Sequence, residues 1–139
     1  MKTITFDTNV LVSSIMSSEG TSYQLFQLAC LEKINAYTSI EILNEFKRVI
    51  QRDLDLSEKE AEEKTEIFLR IFKLIEPTIK LNLITEDPDD NKILECAVES
   101  NSDYLASWDP HLTNLKQYKN IKIINPGKIL AELKNLNEI

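Results

Sequence analysis

Lys2-Thr3-Ile4-Thr5-Phe6-Asp7-Thr8-Asn9-Val10-Leu11-Val12-Ser13 opens the chain with a change of period. Lys2–Phe6 is short, β-branched and aromatic, and reads as a strand. From about Asn9 to Met16 the pattern turns helical, with Asp7 left at the junction. A strand passing straight into a helix with an acid at its exit is the signature of an open α/β sheet.

The rest of the chain repeats that alternation. A Ser/Gly break at Ser17–Gly20 precedes a helix over roughly Ser22–Glu32. Ala36–Thr38 is a weak strand. A T-x-x-E box, Thr38 with Glu41, opens a helix to about Arg52. A second box, Ser57 with Glu60, opens a long amphipathic helix ending near Ile75, ahead of Pro77. Ile79–Leu83 reads as a strand or an extended segment. A helix runs from Asp89 or Asp90 to Ser100, and Tyr104–Ser107 is a buried strand. Lys122–Asn125 is the last strand, and Pro126 starts the final helix. Strands separated by helices imply right-handed crossovers and a mostly parallel sheet flanked by helices on both faces, a three-layer α/β fold in one domain over 1–139.

Composition narrows the class. The 139 residues, 42% hydrophobic, suffice for one core. No apolar run is long enough for a membrane span, and the start reads as a strand rather than a secretory signal. Cys30 and Cys96 lie among apolar neighbours without metal-like spacing, which predicts reduced core thiols and a cytoplasmic protein. The net charge of −7 argues against a broad basic surface for nucleic acid. The two glycines, Gly20 and Gly127, leave no phosphate-cradling glycine loop, which removes P-loop and dinucleotide-binding readings.

Four acids fall where such a sheet gathers charge. Asp7 and Asp109 follow strands, and ligands bind outside the carboxyl ends of parallel strands. Glu45 lies at the border of an apolar stripe formed by Ile42, Leu43, Phe46, Val49 and Ile50. Asp90 precedes Ile93 by three and Leu94 by four, so it continues a buried helix face into the first turn, where negative charge is favoured. Singly, each has an ordinary explanation: a helix cap at Asp89 or Asp90, a Glu45–Arg48 surface pair, turn aspartates at 7 and 109. Jointly they suggest a hard-cation site.

These residues make the chain resemble the PIN domain, and within it the VapC-like ribonucleases of toxin–antitoxin systems. Phe6-Asp7-Thr8-Asn9-Val10-Leu11-Val12-Ser13 looks like the family's opening motif, and Glu45 matches its helical glutamate. Asp87-Pro88-Asp89-Asp90-Asn91-Lys92-Ile93-Leu94-Glu95-Cys96-Ala97 is similar to its third motif, with Asp90 the matching acid. Ser107-Trp108-Asp109-Pro110-His111-Leu112 resembles the closing segment, with Asp109 the fourth acid. Trp108 departs from the smaller or polar residue common there; its ring would narrow the mouth or stack on a base. The resemblance implies a metal-dependent endoribonuclease acting on RNA, commonly a homodimer, often restrained by an antitoxin.

Carboxylates suit Mg²⁺ or Mn²⁺, held by Asp7, Asp90 and Asp109, with Glu45 a further ligand or the group that orients an attacking water. Crowded charge predicts a raised pKa for at least one of them. Asn9, Ser13 and Asn91 are candidate supporting groups; a helix cap, a surface hydroxyl and simple exposure are their plainer readings. His111 lacks a Cys or second His nearby and reads as a polar residue at a helix start. Lys47, Arg48, Arg52 and Lys92 either hold phosphates or form a solvated face, the latter preferred. The apolar residues Ile67, Phe68, Leu69, Ile71, Phe72, Leu74 and Ile75 suit core packing, with dimer or antitoxin contact as a second use. Two other functions compete: a receiver-like phosphoacceptor signalling domain, and a catalytically quiet metal- or RNA-binding module.

Overall fold

A computed structural model describes residues 1–84 and 88–139; Asp87 of the third motif lies outside the described residues. In chain order the elements are β1 (Thr3–Phe6), α1 (Thr8–Met16), α2 (Thr21–Cys30), β2 (Asn35–Thr38), α3 (Ile40–Asp53), α4 (Glu58–Ile71) and β3 (Lys73–Leu74). Then follow α5 (Asp90–Glu99), β4 (Tyr104–Ala106), α6 (Pro110–Thr113), β5 (Gln117–Tyr118), β6 (Ile121–Ile124) and α7 (Pro126–Asn135). The sheet runs β3-β2-β1-β4-β6-β5. All pairings are parallel except β5 with β6.

The strand order fixes where a site can form. From β1 the chain builds outward through β2 and β3, then returns to lay β4 on the other side of β1. The crevice at the carboxyl ends of β1 and β4 is therefore the topological switch point of the sheet. Phe6 lies opposite Ala106, so the two strands end level and the residues after them emerge together.

Alternation along β1 separates the two covered faces. Phe6 meets Phe72 with ring centroids 4.8 Å apart, in an aromatic group that Phe26, Phe46 and Phe68 extend. Thr5 points the other way, its hydroxyl 2.9 Å from that of Ser102 beyond α5. The helices α5 and α7 pack on the sheet, and α1 packs against α2 and α3. The α/β expectation holds.

Several boundaries differ from the sequence reading. Thr38 stays in β2, and Ser39 caps α3 by accepting the Ile42 N–H at 3.2 Å, so the Thr38–Glu41 box does not form. Helix α4 stops at Ile71, because Phe72 turns extended and the following residues pair with the open edge of β2. That edge needs partners for its N–H and C=O groups, and Ile75 donates to the Thr38 carbonyl at 3.0 Å. Residues 79–83 run without regular structure. They are strapped to α5: Thr78, Leu81 and Ile84 donate backbone N–H groups to Glu99, Glu95 and Asn91. Cys96 is buried as expected, but Cys30, the last residue of α2, is exposed. Among the described residues no helix is long and apolar enough to cross a membrane.

Candidate active site

Asp7 leaves β1 and caps α1. Its Oδ1 accepts the Thr8 N–H at 2.7 Å and its Oδ2 accepts the Ser107 hydroxyl at 2.6 Å. Burial pushes its pKa from 3.8 up to about 7; the two hydrogen bonds pull it down, and Glu45 and Asp109 push it further up. A desolvated carboxylate in company with others is the expected raised group.

Glu45 reaches the same place from α3. It is half-buried, and its Oε2 accepts the Thr8 hydroxyl proton at 2.7 Å. Its partner is thus Thr8, not Arg48. Asp90, at the first turn of α5, is buried. Asp109 caps the short helix α6, its Oδ1 accepting the His111 N–H at 2.9 Å, while its own N–H donates to the Ser107 hydroxyl oxygen. Asp7, Glu45, Asp90 and Asp109 all line one cleft of about 370 Å³, together with Thr8, Asn9, Ser13 and Asp53.

One group, two of whose members line the cleft, is tighter. Ligand atoms of Asp90, Asp109 and His111 lie within 4.8 Å of one another. Opposite ligands on a Mg²⁺ bonded at about 2.1 Å stand roughly 4 Å apart, so this donor set fits a divalent ion after small side-chain movement. Asp7 sits in the cleft wall outside that trio, although each of its oxygens keeps a second lone pair for an ion. His111 is half-way between the two sequence readings. It is exposed in the first turn of α6, yet its Nδ1 is 3.8 Å from Asp109 Oδ1. The oxygen ligands, rather than a second His, complete its set.

The supporting residues divide. Asn9 accepts the Trp108 N–H on its Oδ1 at 3.1 Å, tying α1 to the segment after β4. Ser13 donates to the Ser22 hydroxyl, which also accepts the Trp108 indole N–H at 2.9 Å. Asn91 is neither exposed nor part of the cleft lining. It is buried and clamps the chain on either side of 85–87, accepting from Ile84 N and donating to the carbonyls of Ile84 and Pro88. Ser107 and Thr8 escaped the sequence reading, since a hydroxyl becomes a carboxylate's partner only through tertiary placement; the Ser-x-Asp spacing at 107–109 was the available signal. Most of the basic run pairs with neighbours: Lys47 with Glu62 and Arg52 with Asp53, while Lys92 lies near Glu41. No lysine lines the cleft among the described residues, which removes the cation a receiver-like phosphoacceptor would set beside its aspartate.

The sheet thus gathers four acids, two of them buried, at its switch point. A model of the PIN domain matches residues 3–111, and the chain belongs to that family. PIN domains are generally nucleases. An uncharacterized protein of Methanocaldococcus jannaschii is 30% identical over 128 residues, covering 88% of this chain and 81% of that protein. The fold is also similar to a chain in the crystal structure of VapBC2 from Rickettsia felis bound to a DNA fragment from their promoter. That match has a TM-score of 0.65 and 18% identity, covering 88% of this chain and 98% of the other.

Proposed function

We propose that this protein is a divalent-metal-dependent endoribonuclease, the toxin member of a toxin–antitoxin pair. The observation that carries the reading is the meeting of Asp7, Glu45, Asp90 and Asp109 in one cleft at the ends of β1 and β4. Asp90 and Asp109 would hold Mg²⁺ or Mn²⁺, with His111 as a nitrogen donor and Asp7 as a further carboxylate. Bound there, such an ion would supply a more acidic water and neutralise charge on the phosphate. Glu45, anchored by Thr8 through one oxygen, keeps the other to orient the attacking water. Ser107 fixes the rotamer of Asp7. Ile67 and Leu69, exposed on different sides of α4, are apolar contacts open to a second copy or an antitoxin, and the VapBC2 complex supports such a partner.

The test uses purified protein and single-stranded RNA. Cleavage should require Mg²⁺ or Mn²⁺, stop with EDTA, and be lost in Asp7→Asn. Undiminished cleavage by folded Asp7→Asn would refute the site. Metal uptake in calorimetry without hydrolysis of varied RNAs would mark a quiet binding module instead.

A further inference from the structure

A second depression of about 500 Å³ adjoins the acidic cleft at the carboxyl ends of β4 and β6, lined in part by Ser107, Trp108, Asn114, Lys116, Asn125 and Lys128. Its size falls within the roughly 300–1,000 Å³ of small-ligand sites. Ser107 joins the two, since it lines this groove while its hydroxyl holds Asp7 in the other. Their charges are opposite. Five carboxylates line the cleft and, among the described residues, none lines the groove.

Trp108 is the sole tryptophan of the chain and is 44% exposed. Its indole N–H and backbone N–H are both taken, by Ser22 and Asn9. The polar edge is satisfied by protein and the ring is held in place, while much of its apolar surface stays in water. Leaving an aromatic ring exposed forgoes burial energy. Holding it there rigidly lowers the entropy cost of whatever lands on it. Lys116 and Lys128 make no ion pair among the described residues, unlike Lys47, Arg52 and Lys92. In a chain of net charge −7, two unneutralised lysines beside a fixed aromatic ring suit a phosphate and a base.

We propose that this groove holds the nucleotide next to the scissile phosphate, with its base stacked on Trp108 and its phosphate between Lys116 and Lys128. The proposal rests on the nuclease reading above and deepens it: the substrate is single-stranded at that position, because a base inside a duplex has no free face to offer.

The sole tryptophan makes its fluorescence a reporter of this groove. The Asp7→Asn protein in EDTA, titrated with a labelled single-stranded oligoribonucleotide, should show quenching that saturates with the anisotropy of the label. A duplex of the same sequence should not quench. Trp108→Ala should weaken binding roughly 5- to 150-fold, and Trp108→Phe should recover most of it. Lys116→Gln and Lys128→Gln should each reduce the salt slope of binding by about 0.7. Should the alanine variant fail to fold, quenching in the parent and the two lysine variants decide. Unchanged fluorescence at saturation, equal quenching by duplex, or parental salt slopes would overturn the proposal. If wild type nevertheless cleaves RNA with metal, only the groove assignment falls. If wild type neither binds nor cleaves RNA, the nuclease reading falls with it.

Discussion

Asp7→Asn offers a measurement of the site that needs no substrate. The folded protein holds Asp7 at a pKa of about 7, against 3.8 for an ordinary aspartate. Below pH 4 the group is neutral both folded and unfolded and imposes no penalty. Between 3.8 and about 7 the unfolded chain releases a proton that the folded chain retains, so stability falls as pH rises and levels off above 7. At about 1.36 kcal/mol per tenfold change in proton affinity, the ceiling is roughly 4 kcal/mol. Compared with the protonated wild type, the variant keeps the Thr8 contact but sets an amide NH₂ against the Ser107 hydroxyl, which offsets on the order of 1–2 kcal/mol. In EDTA at pH 8, Asp7→Asn should therefore be about 2–3 kcal/mol more stable than wild type in urea unfolding. Near pH 4, where the penalty has vanished, the order should invert, with the variant about 1–2 kcal/mol the less stable. Millimolar Mn²⁺ should close most of the gap at pH 8 by stabilising wild type, by about 2.7 kcal/mol when the ion is at a hundred times its Kd. A variant less stable than wild type by a pH-independent margin would refute the reasoning, since Asp7 would then be a structural cap and not a strained site acid.

Other outcomes follow from single contacts. His111→Ala should lower Mn²⁺ affinity about tenfold and Mg²⁺ affinity less, because nitrogen donors favour the later ion; calorimetry with each metal checks this. Ser107→Ala removes a hydroxyl that holds the Asp7 pKa down, so the carboxyl titration, read by carbon NMR, should move above about 7. Asn91→Ala leaves the Ile84 N–H and C=O without their side-chain partner, and should cost about 1–3 kcal/mol in urea unfolding.

The legible parts of the sequence were those fixed by local period. Lys2–Phe6 and Tyr104–Ser107 read as strands, and their placement in a parallel sheet put Asp7 and Asp109 at one edge. Helical phase turned Asp90 inward and left Glu45 at a border, half-buried. What stayed hidden depends on contacts between distant segments. The pairs Lys73–Leu74 and Gln117–Tyr118 are too short to carry an alternating pattern, and become strands only against β2 and β6. Thr38 and Ser39 are both good caps, and the register of β2 decides between them. Thr8 bonding Glu45, Ser107 bonding Asp7 and His111 beside Asp90 each join elements that have no spacing in common. Asn91 carries a motif position yet spends its amide on the backbone, a choice that composition cannot reveal.

The strap on α5 has a consequence for chain length. Its donors, Thr78, Leu81 and Ile84, recur every third residue along extended chain, and its acceptors, Glu99, Glu95 and Asn91, every fourth along a helix. The two series run in opposite directions and mesh only in this phase. A surface stretch without regular structure ordinarily tolerates insertions. Here one added or deleted residue between 79 and 83 would put every later donor out of step. The segment thus works as a ruler between the edge strand and the helix that carries Asp90, and its length, more than its composition, should resist change.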